Sequence, residues 1–376
     1  MKKLYLLIII PLMVLLVSCF LFEGKQVVVS AGYYHNLVLD KDGKVWGWGH
    51  NQSGQLGNFS DETIVYDSIP IMNDKTFKLV SAGYQHSLFI DNNDKLWAVG
   101  GNYFGELGTN DDIAFTPNPM EVKPDTKFKY AYAGHCASYA IDFNNNLWTW
   151  GNNTVGQLGD GTNVAKKIPT LIKSDTKFKS VVAGELSVVA LDLNGAMWSW
   201  GDNTYGQLGN GSTTNSLIPQ RVSNNRVFTQ VSAGSVHFAA IDKDKCLWVW
   251  GYNNYGQLGN ASFINSSVPK QVKEGFEFIS IGLCQNSTLA VDKDGNLWVC
   301  GNNTLGQLGL GNNTNQSVFQ KVETLVNVNR IYGGFNHSIA ITKDNDIWGW
   351  GNNNLGQLVN ITSTEKQMLP AFMIKY

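Results

Sequence analysis

The chain has 376 residues, of which 43% are hydrophobic, 12% aromatic and 15% charged, a composition that excludes a disordered chain and is typical of a well-packed globular protein. Its 28 Lys and Arg and 30 Asp and Glu give a formal net charge of −2. The only arginines, Arg221, Arg226 and Arg330, form no run. Because nucleic-acid binding needs clustered basic charge, we expect no nucleic-acid partner. The mildly acidic body also argues against electrostatic docking on anionic lipid.

The N-terminal segment has the features of a targeting sequence. Lys2 and Lys3 precede an apolar run of 14 residues, 4–17, which is too short to span a bilayer but has the length of a signal-peptide core. The run ends in Leu-Val-Ser-Cys at 16–19, which resembles the lipobox of bacterial lipoproteins. That resemblance implies cleavage before Cys19, lipidation of its thiol and acylation of the new amine. The alternatives are an uncleaved anchor, or a secretory signal in which Cys19 is incidental.

We therefore expect a lipoprotein signal peptide at 1–18 and a tether at 19–26, with the protein anchored by lipid to a membrane of the cell envelope. Several acyl chains on one residue would anchor it stably. The seven spacer residues 20–26 reach at most about 25 Å, so the folded body would sit close to the membrane. Phe20, rather than Asp, follows the cysteine and resembles the outer-membrane sorting pattern of two-membrane bacteria.

After the tether, one stretch recurs seven times. Its first copy, at 46–57, reads Trp-Gly-Trp-Gly-His-Asn-Gln-Ser-Gly-Gln-Leu-Gly. Successive copies follow at steps of 51, 51, 50, 50, 50 and 50 residues, and such a period is typical of repeat folds. The first tryptophans of the seven copies are Trp46, Trp97, Trp148, Trp198, Trp248, Trp298 and Trp348.

The pattern within one copy predicts four short strands. In the second copy, alternating and apolar runs predict three strands at 77–83, 86–91 and 95–100, with a tight turn at 92–94. A fourth, edge-like strand is expected around Pro119, because proline cannot donate to a ladder. Four antiparallel strands about every 50 residues describe the blades of a propeller. We predict an all-β, seven-bladed β-propeller over 27–376, with copies at about 27–75, 76–126, 127–176, 177–225, 226–275, 276–325 and 326–376.

The last segment, 369–376, is a seventh copy of the fourth strand. Whether it pairs within its own blade or with the first blade stays open at this point. We interpret the repeated tryptophans as packing between blades, since each can bury about 150–250 Å². The loop Asn, Gly and Leu of each copy have structural roles on this interpretation, because a catalytic site needs different groups that converge rather than one group repeated around a ring.

The pattern Trp-x-Trp-Gly-x-Asn-x-x-Gly-Gln-Leu-Gly, with Ala-Gly-x-x-His-Ser-Leu upstream, resembles the regulator of chromosome condensation repeat family over about 27–376. The resemblance implies a seven-bladed propeller. This chain departs from the pattern at Glu106, Val359, Val99 and Cys300. The family's founding activity is nucleotide exchange on the Ran GTPase through a hairpin inserted into one blade. The period here leaves no room for that hairpin, so we expect no Ran-type GTPase partner.

The remaining candidate chemistry is sparse. His35, His86, His237 and His337 occupy one repeat position, and three of them fall on adjacent blades, which allows a metal hypothesis. We favour imidazoles that bond nearby backbone carbonyls, and we predict no metal, no cofactor and no catalytic residues. The other cysteines form no Cys-x-x-Cys pair, and we expect isolated small hydrophobes although pairing is open in an exported protein. They are Cys136, Cys246, Cys284 and Cys300.

Residues that vary between copies are the candidates for recognition, because loops on a rigid scaffold commonly carry it and aromatic side chains suit a contact surface. The alternative is that these loops vary because nothing constrains them. We predict a protein-interaction or ligand-binding scaffold with an unknown protein or saccharide partner. An exported enzyme that acts on glycan or cell-wall substrates at an axial site is the alternative. The candidate surface comprises Tyr33, Tyr34, Tyr84, Tyr103, Phe104, Tyr205, Tyr252, Tyr255 and Phe335.

Overall fold

The computed structural model describes residues 26–58, 62–172, 175–222, 225–361 and 365–376. They form 28 strands arranged as seven four-stranded antiparallel sheets, and the strands of each sheet follow one another in chain order. The predicted all-β, seven-bladed propeller with four strands per blade is therefore confirmed. The described residues include no helix long and apolar enough to cross a membrane. The predicted signal peptide at 1–18 and the predicted lipidation site Cys19 lie outside the described residues.

The strand bounds repeat closely from blade to blade. Blade one consists of β1 Val28–Ala31, β2 His35–Leu39, β3 Val45–His50 and β4 Ile64–Ile71, and blade two of β5 Phe77–Ala82, β6 His86–Asp91, β7 Leu96–Gly101 and β8 Phe115–Val122. Blade three consists of β9 Phe128–Ala133, β10 Ala137–Asp142, β11 Leu147–Gly151 and β12 Lys166–Leu171, and blade four of β13 Phe178–Ala183, β14 Ser187–Asp192, β15 Met197–Gly201 and β16 Ser216–Arg221. Blade five consists of β17 Phe228–Ala233, β18 His237–Asp242, β19 Leu247–Gly251 and β20 Ser266–Val272, and blade six of β21 Phe278–Cys284, β22 Ser287–Asp292, β23 Leu297–Gly301 and β24 Gln316–Lys321. Blade seven consists of β25 Val328–Gly333, β26 His337–Thr342, β27 Asp346–Asn352 and β28 Lys366–Lys375.

The first Trp of each copy closes a hairpin within its own blade. In blade two, one oxygen of Asp91 accepts the backbone N–H groups of Asn93 and Lys95, and the other accepts Nε1–H of Trp97 at 3.1 Å. Asp94 takes a φ of 69°, the left-handed conformation that such a tight turn needs. Six copies have this Asp–Trp bond. In the seventh, Thr342 replaces the Asp, and Nε1 of Trp348 is buried without a partner.

The second Trp, by contrast, joins neighbouring blades. Trp48, Trp150, Trp200, Trp250 and Trp350 have no exposed surface. Each donates its Nε1–H to the backbone carbonyl of the motif Gln or Glu in the preceding blade, as in the 2.7 Å bond from Trp150 to Glu106. In the sixth blade, Cys300 takes this place, with its Sγ 3.4 Å from the carbonyl of Gln257.

The ring closes without exchange of a strand. β28 pairs antiparallel with β27, so the last strand lies in its own blade, which settles the pairing that the sequence left open. Val29, Val38 and Trp48 of the first blade share one buried cluster with residues of the seventh. The ring of Tyr376 lies 5.4 Å from that of Trp46, and its hydroxyl hydrogen-bonds the Ser68 hydroxyl.

Strand direction divides the loops between two faces. The turns between first and second strands and the loops between third and fourth strands lie at the same end of each blade, and we call this end of the ring the mouth face. The two kinds of loop are hydrogen-bonded to each other there, as in the 2.9 Å bond from the His50 N–H to the Tyr34 carbonyl. The hairpin turns and the connections between blades form the opposite face, where the Phe77 N–H bonds the Gly43 carbonyl at 2.8 Å. β1 begins at the opposite face and runs towards the mouth face.

Candidate functional site

Four of the predicted surface residues meet at the centre of the mouth face. The ring of Tyr33 stacks on Phe335 with centroids 5.0 Å apart and meets Tyr84 edge-on at 5.2 Å. Tyr34 contacts Tyr84 and Phe335 at 5.7 and 5.4 Å. His135 joins the group, with its ring 4.4 Å from Tyr84. These five residues, which we call the central aromatic cluster, come from blades one, two, three and seven, and all are half-buried.

Tyr33 caps the axis of the ring. It lines a cavity of about 50 Å³ that is bounded by residues from all seven blades. Burial raises the pKa of the Tyr33 hydroxyl well above its usual value, and the nearby Glu185 carboxylate raises it further, while the Ser235 hydroxyl acts in the other direction. Ligand pockets for small molecules enclose about 300–1,000 Å³, so this axial space has room for little more than water.

The other predicted aromatic residues lie on the loops between third and fourth strands. Tyr205 of blade four meets Tyr252 of blade five edge-on at 4.8 Å, and Tyr255 lies 6.3 Å from Tyr252. Tyr103 and Phe104 are on the equivalent loop of blade two, where 65% and 40% of their surface is exposed. The nine predicted residues therefore lie on one face of the ring, in a central cluster and two outer groups.

The mouth face is acidic. In the described residues its turns and loops contain no Lys or Arg, and their carboxylates are Glu62, Glu106, Asp111, Asp112, Asp160, Glu185, Asp202 and Glu365. The loops of the opposite face hold 13 Lys and Arg and 12 Asp and Glu among the described residues. A net charge near zero for the whole chain therefore hides a strong difference between the two faces.

Cys136 and the carboxyl groups of Glu106 and Glu185 lie near His135 of the central aromatic cluster. Sγ of Cys136 is 3.2 Å from Nδ1 of His135. Burial raises the pKa of the Cys136 thiol to about 12, and Glu106 and Glu185 add to the effect. A nucleophilic cysteine needs a lowered pKa, so this pair lacks the electrostatics of a Cys–His catalytic site. Burial also raises the pKa of Glu106 to about 7.

The four repeated histidines connect blades. Nε2 of each ring meets a side chain of the next blade: Ser87, Ser138, Thr288 and Asn36 pair with His35, His86, His237 and His337 at 2.8, 2.9, 3.1 and 2.8 Å. The expectation that these rings bond backbone carbonyls is wrong for Nε2, because a side chain lies between this nitrogen and the carbonyl. Ser87, for example, donates to the carbonyl of Gln55 at 2.7 Å, so its oxygen accepts Nε2–H of His35.

These contacts leave the metal hypothesis without support. Each imidazole is fully buried, and burial lowers its pKa to about 3. No group of three or more His, Cys, Asp or Glu in the described ranges is arranged to hold a metal ion. Cys136, Cys246, Cys284 and Cys300 are free thiols.

Sequence reasoning missed two members of the site, His135 and Glu185. Both are in the variable dipeptide of their copies, which was a signal that could have found them, but neither is a Tyr or Phe. It also missed the acidity of the mouth face, because the loops of one face are dispersed along the chain and meet only in the ring.

Comparison with known proteins agrees with this architecture. The family model described as RCC1-like domain matches residues 11–227 and 114–374. The chain belongs to this family. Among solved structures, Prp20p from Saccharomyces cerevisiae has a TM-score of 0.80 at 18% identity, covering 95% of this chain and 88% of that one. Human WBSCR16 has a TM-score of 0.76 at 21% identity, covering 85% and 87%. At these identities the likeness shows the fold alone.

Sequence relatives of this RCC1-like chain match over shorter stretches. The Ultraviolet-B receptor UVR8 of Arabidopsis thaliana is 29% identical over 149 residues, which cover 39% of this chain and 34% of that protein. The probable E3 ubiquitin-protein ligase HERC4 of Homo sapiens is 32% identical over 142 residues, which cover 37% and 13%. The chain thus spans about a third or less of the length of the curated relatives it matches. The lipobox at Cys19 stays a prediction.

Proposed function

We propose that this protein is an exported lipoprotein, anchored to a membrane of the cell envelope, whose RCC1-like propeller is a protein-interaction scaffold. The observation that carries the proposal is the gathering of nine aromatic residues on the mouth face, from loops of five different blades. Aromatic side chains are enriched in interfaces and supply many of their strongest contacts. A rigid ring that presents variable loops is a common scaffold for recognition.

Chain direction gives this scaffold an orientation. β1 begins at Val28 on the opposite face, so the tether that ends at Gln26 leaves from that face. A lipid on Cys19 would be linked through at most about 25 Å of spacer. The opposite face is thus held towards the membrane, and the mouth face with its aromatic residues points away from it, where a partner can approach.

The alternative of an exported enzyme has less support. An axial site of the kind that propellers offer would lie in the cavity beneath Tyr33, and that cavity is about 50 Å³. A saccharide unit or peptide needs several times that volume.

The absence of a Ran-type GTPase partner stays a prediction, and an exchange assay with a purified Ran-type GTPase tests it. Accelerated nucleotide release would contradict it.

A crosslinking experiment tests the scaffold. A photoreactive amino acid at Tyr103 on the mouth face should capture one partner in intact cells. The matched control is the same substitution at Phe143, which is 53% exposed on the opposite face. Equal capture from both positions, or none from Tyr103, would contradict a mouth-face scaffold.

Mass spectrometry of the native N-terminus tests the anchor. We expect a chain that begins at Cys19 and carries acyl chains on that residue. An intact Met1 without acyl chains would refute both the lipidation and the location at the membrane.

A further inference from the structure

The charges of the mouth face identify the chemistry of its partner. The described mouth loops carry seven exposed or half-buried carboxylates, the buried carboxyl group of Glu106, and no Lys or Arg. Two of the carboxylates pair with lysines at the start of β12, as Asp112–Lys167 and Asp160–Lys166. Asp111, Glu185 and Asp202 have no ion-pair partner in the part of the chain that the structure describes. A face with this charge attracts cations and repels anions, including anionic lipid.

The unpaired carboxylates lie beside the aromatic groups. Glu185 is exposed, and its charge acts on Tyr33 and His135 of the central aromatic cluster. The N–H of Glu185 bonds the Ser235 carbonyl at 2.8 Å, and the next carbonyl along, that of Val236, accepts the Tyr252 N–H at 3.0 Å. Glu185 therefore lies between the central aromatic cluster and the Tyr205–Tyr252–Tyr255 group.

Asp202 lies in the same blade as Glu185, on the loop between the third and fourth strands. Its N–H bonds the carbonyl of Leu186, the residue after Glu185, at 2.9 Å. Its carboxylate accepts Nε2–H of Gln207 at 2.6 Å, which holds the charge in place on the loop that carries Tyr205. Asp111 lies on the loop of blade two that also presents Tyr103 and Phe104. Each group of aromatic rings thus shares its blade with one of these carboxylates or, for the central aromatic cluster, interacts with Glu185.

We infer that the mouth face binds a positively charged, extended segment of a partner protein, with Lys or Arg side chains that lie on the tyrosine rings and pair with Glu185, Asp202 and Asp111. Guanidinium and ammonium groups are attracted to the faces of aromatic rings, and a neighbouring carboxylate adds a charge-assisted hydrogen bond. The inference rests on the proposed function as an interaction scaffold and adds the chemical class of the partner. It favours a protein over a membrane, because an anionic membrane would be repelled by the mouth face.

A peptide-binding experiment tests the inference. Fluorescence anisotropy of the full-length protein in detergent would compare three labelled peptides, in which Ser alternates with Arg, Gln or Glu. We expect binding of the Arg peptide alone, and weaker binding as salt screens the charges. In the triple variant Glu185→Gln, Asp202→Asn, Asp111→Asn, each lost charge should weaken binding about two- to fivefold, so the triple variant should lose about tenfold or more.

The matched control places the same change of charge on the opposite face. Asp42→Asn, Asp294→Asn, Asp344→Asn removes three exposed carboxylates there and should leave the affinity unchanged. Equal loss in both triple variants would mean that net charge alone attracts the peptide, and binding of the Gln peptide as tightly as the Arg peptide would mean that charge is not recognised. Either result, or no binding of the Arg peptide, overturns the inference.

The two proposals fail separately. If the photoreactive group at Tyr103 captures a partner whose crosslinked segment is neutral or acidic, the scaffold stands and the inference of a cationic partner is wrong. If capture from Tyr103 fails altogether, the scaffold itself is wrong.

Discussion

Nε1 of Trp48 donates to the backbone carbonyl of Gln357 across 2.8 Å, and this bond joins residues 309 positions apart in sequence. The same carbonyl accepts Nδ2–H of Asn36 at 2.9 Å. The last copy of the motif is therefore held to the first by the same contact that Trp150, Trp200, Trp250 and Trp350 make with the motif before them, and ring closure uses ordinary inter-blade chemistry.

Trp48→Phe should destabilise the protein by about 2 kcal/mol, because the change removes a buried hydrogen bond and leaves unfilled volume between two blades. The midpoint of urea unfolding would measure the loss. Trp198→Phe is the matched control: Trp198 is only half-buried and bonds Asp192 of its own blade at 3.1 Å, so its loss should be smaller. A larger loss for Trp198 would contradict the different roles assigned to the two tryptophan positions.

His86→Ala and Ser138→Ala should each destabilise the protein, but the double variant should cost less than their sum. Nε2 of His86 lies 2.9 Å from Oγ of Ser138, and both residues are buried. We expect a coupling free energy of about 1 kcal/mol from a double-mutant cycle. The cycle of His86 with Thr288, which bonds His237 instead, is the control and should give a value near zero.

Between pH 6.5 and 3, stability should fall as the pH falls. His35, His86, His237 and His337 have their pKa lowered by burial to about 3, below the ordinary 6.5, so the unfolded chain takes up protons in this range that the folded chain does not. The His86→Ala variant should show a shallower slope in urea unfolding measured across this range. An unchanged slope would contradict burial of a neutral imidazole.

Glu106 should act in the opposite sense. Burial raises its pKa from 4.5 to about 7, so the folded chain holds a proton that the unfolded chain releases, and stability is lost as the pH rises through this range. Glu106→Gln should be more stable than the natural chain by about 3 kcal/mol at pH 8 and nearly equal to it at pH 4. Gln157→Glu places a carboxyl group at the same position of blade three. This variant should be less stable than the natural chain at pH 8 and nearly equal to it at pH 4.

Gly54→Ala should destabilise the protein by about 3 kcal/mol or more. A Cβ there would lie 2.6 Å from the backbone of Pro117 in the next blade, and the φ of 70° is already unfavourable for alanine. Gly275→Ala separates the two causes, since Gly275 has a φ of 85° but nothing within 4 Å of the added atom. We expect Gly275→Ala to lower the free energy of unfolding by about 1 kcal/mol. An equal loss of stability in Gly54→Ala and Gly275→Ala would show that the close approach of the blades at Gly54 contributes nothing.

The period of the motif was sufficient to predict the number of blades and of strands, because every blade repeats one local pattern. The partners of individual side chains were less accessible. Even so, the sequence held a signal for the histidine contacts. When a copy has His at the repeated position, the next copy has Ser, Thr or Asn at the position directly after its own equivalent of that His. When the next copy has an apolar residue there, as with Val188 and Phe238, the preceding copy lacks His. Reading one copy at a time hid this relation between neighbours.

The mouth face shows a different limit. Tyr33 and Phe335 are 302 positions apart, and only closure of the ring brings their aromatic rings into contact at 5.0 Å. The variable positions could be predicted from the sequence, but their division into a central cluster and two outer groups depends on which blades are adjacent. The acidity of the face depends in the same way on which loops share an end of the ring.

The order of strands within each sheet has a consequence for how the protein is made. Since all four strands of every blade are consecutive in the chain, no blade needs a strand from the far end of the chain to complete its sheet. Each blade can be completed as soon as its four strands have been synthesised, and its exposed side is covered when the next blade forms. A single event is then left until synthesis ends, in which Gln357 and Tyr376 arrive beside Trp48 and Trp46 and complete the ring.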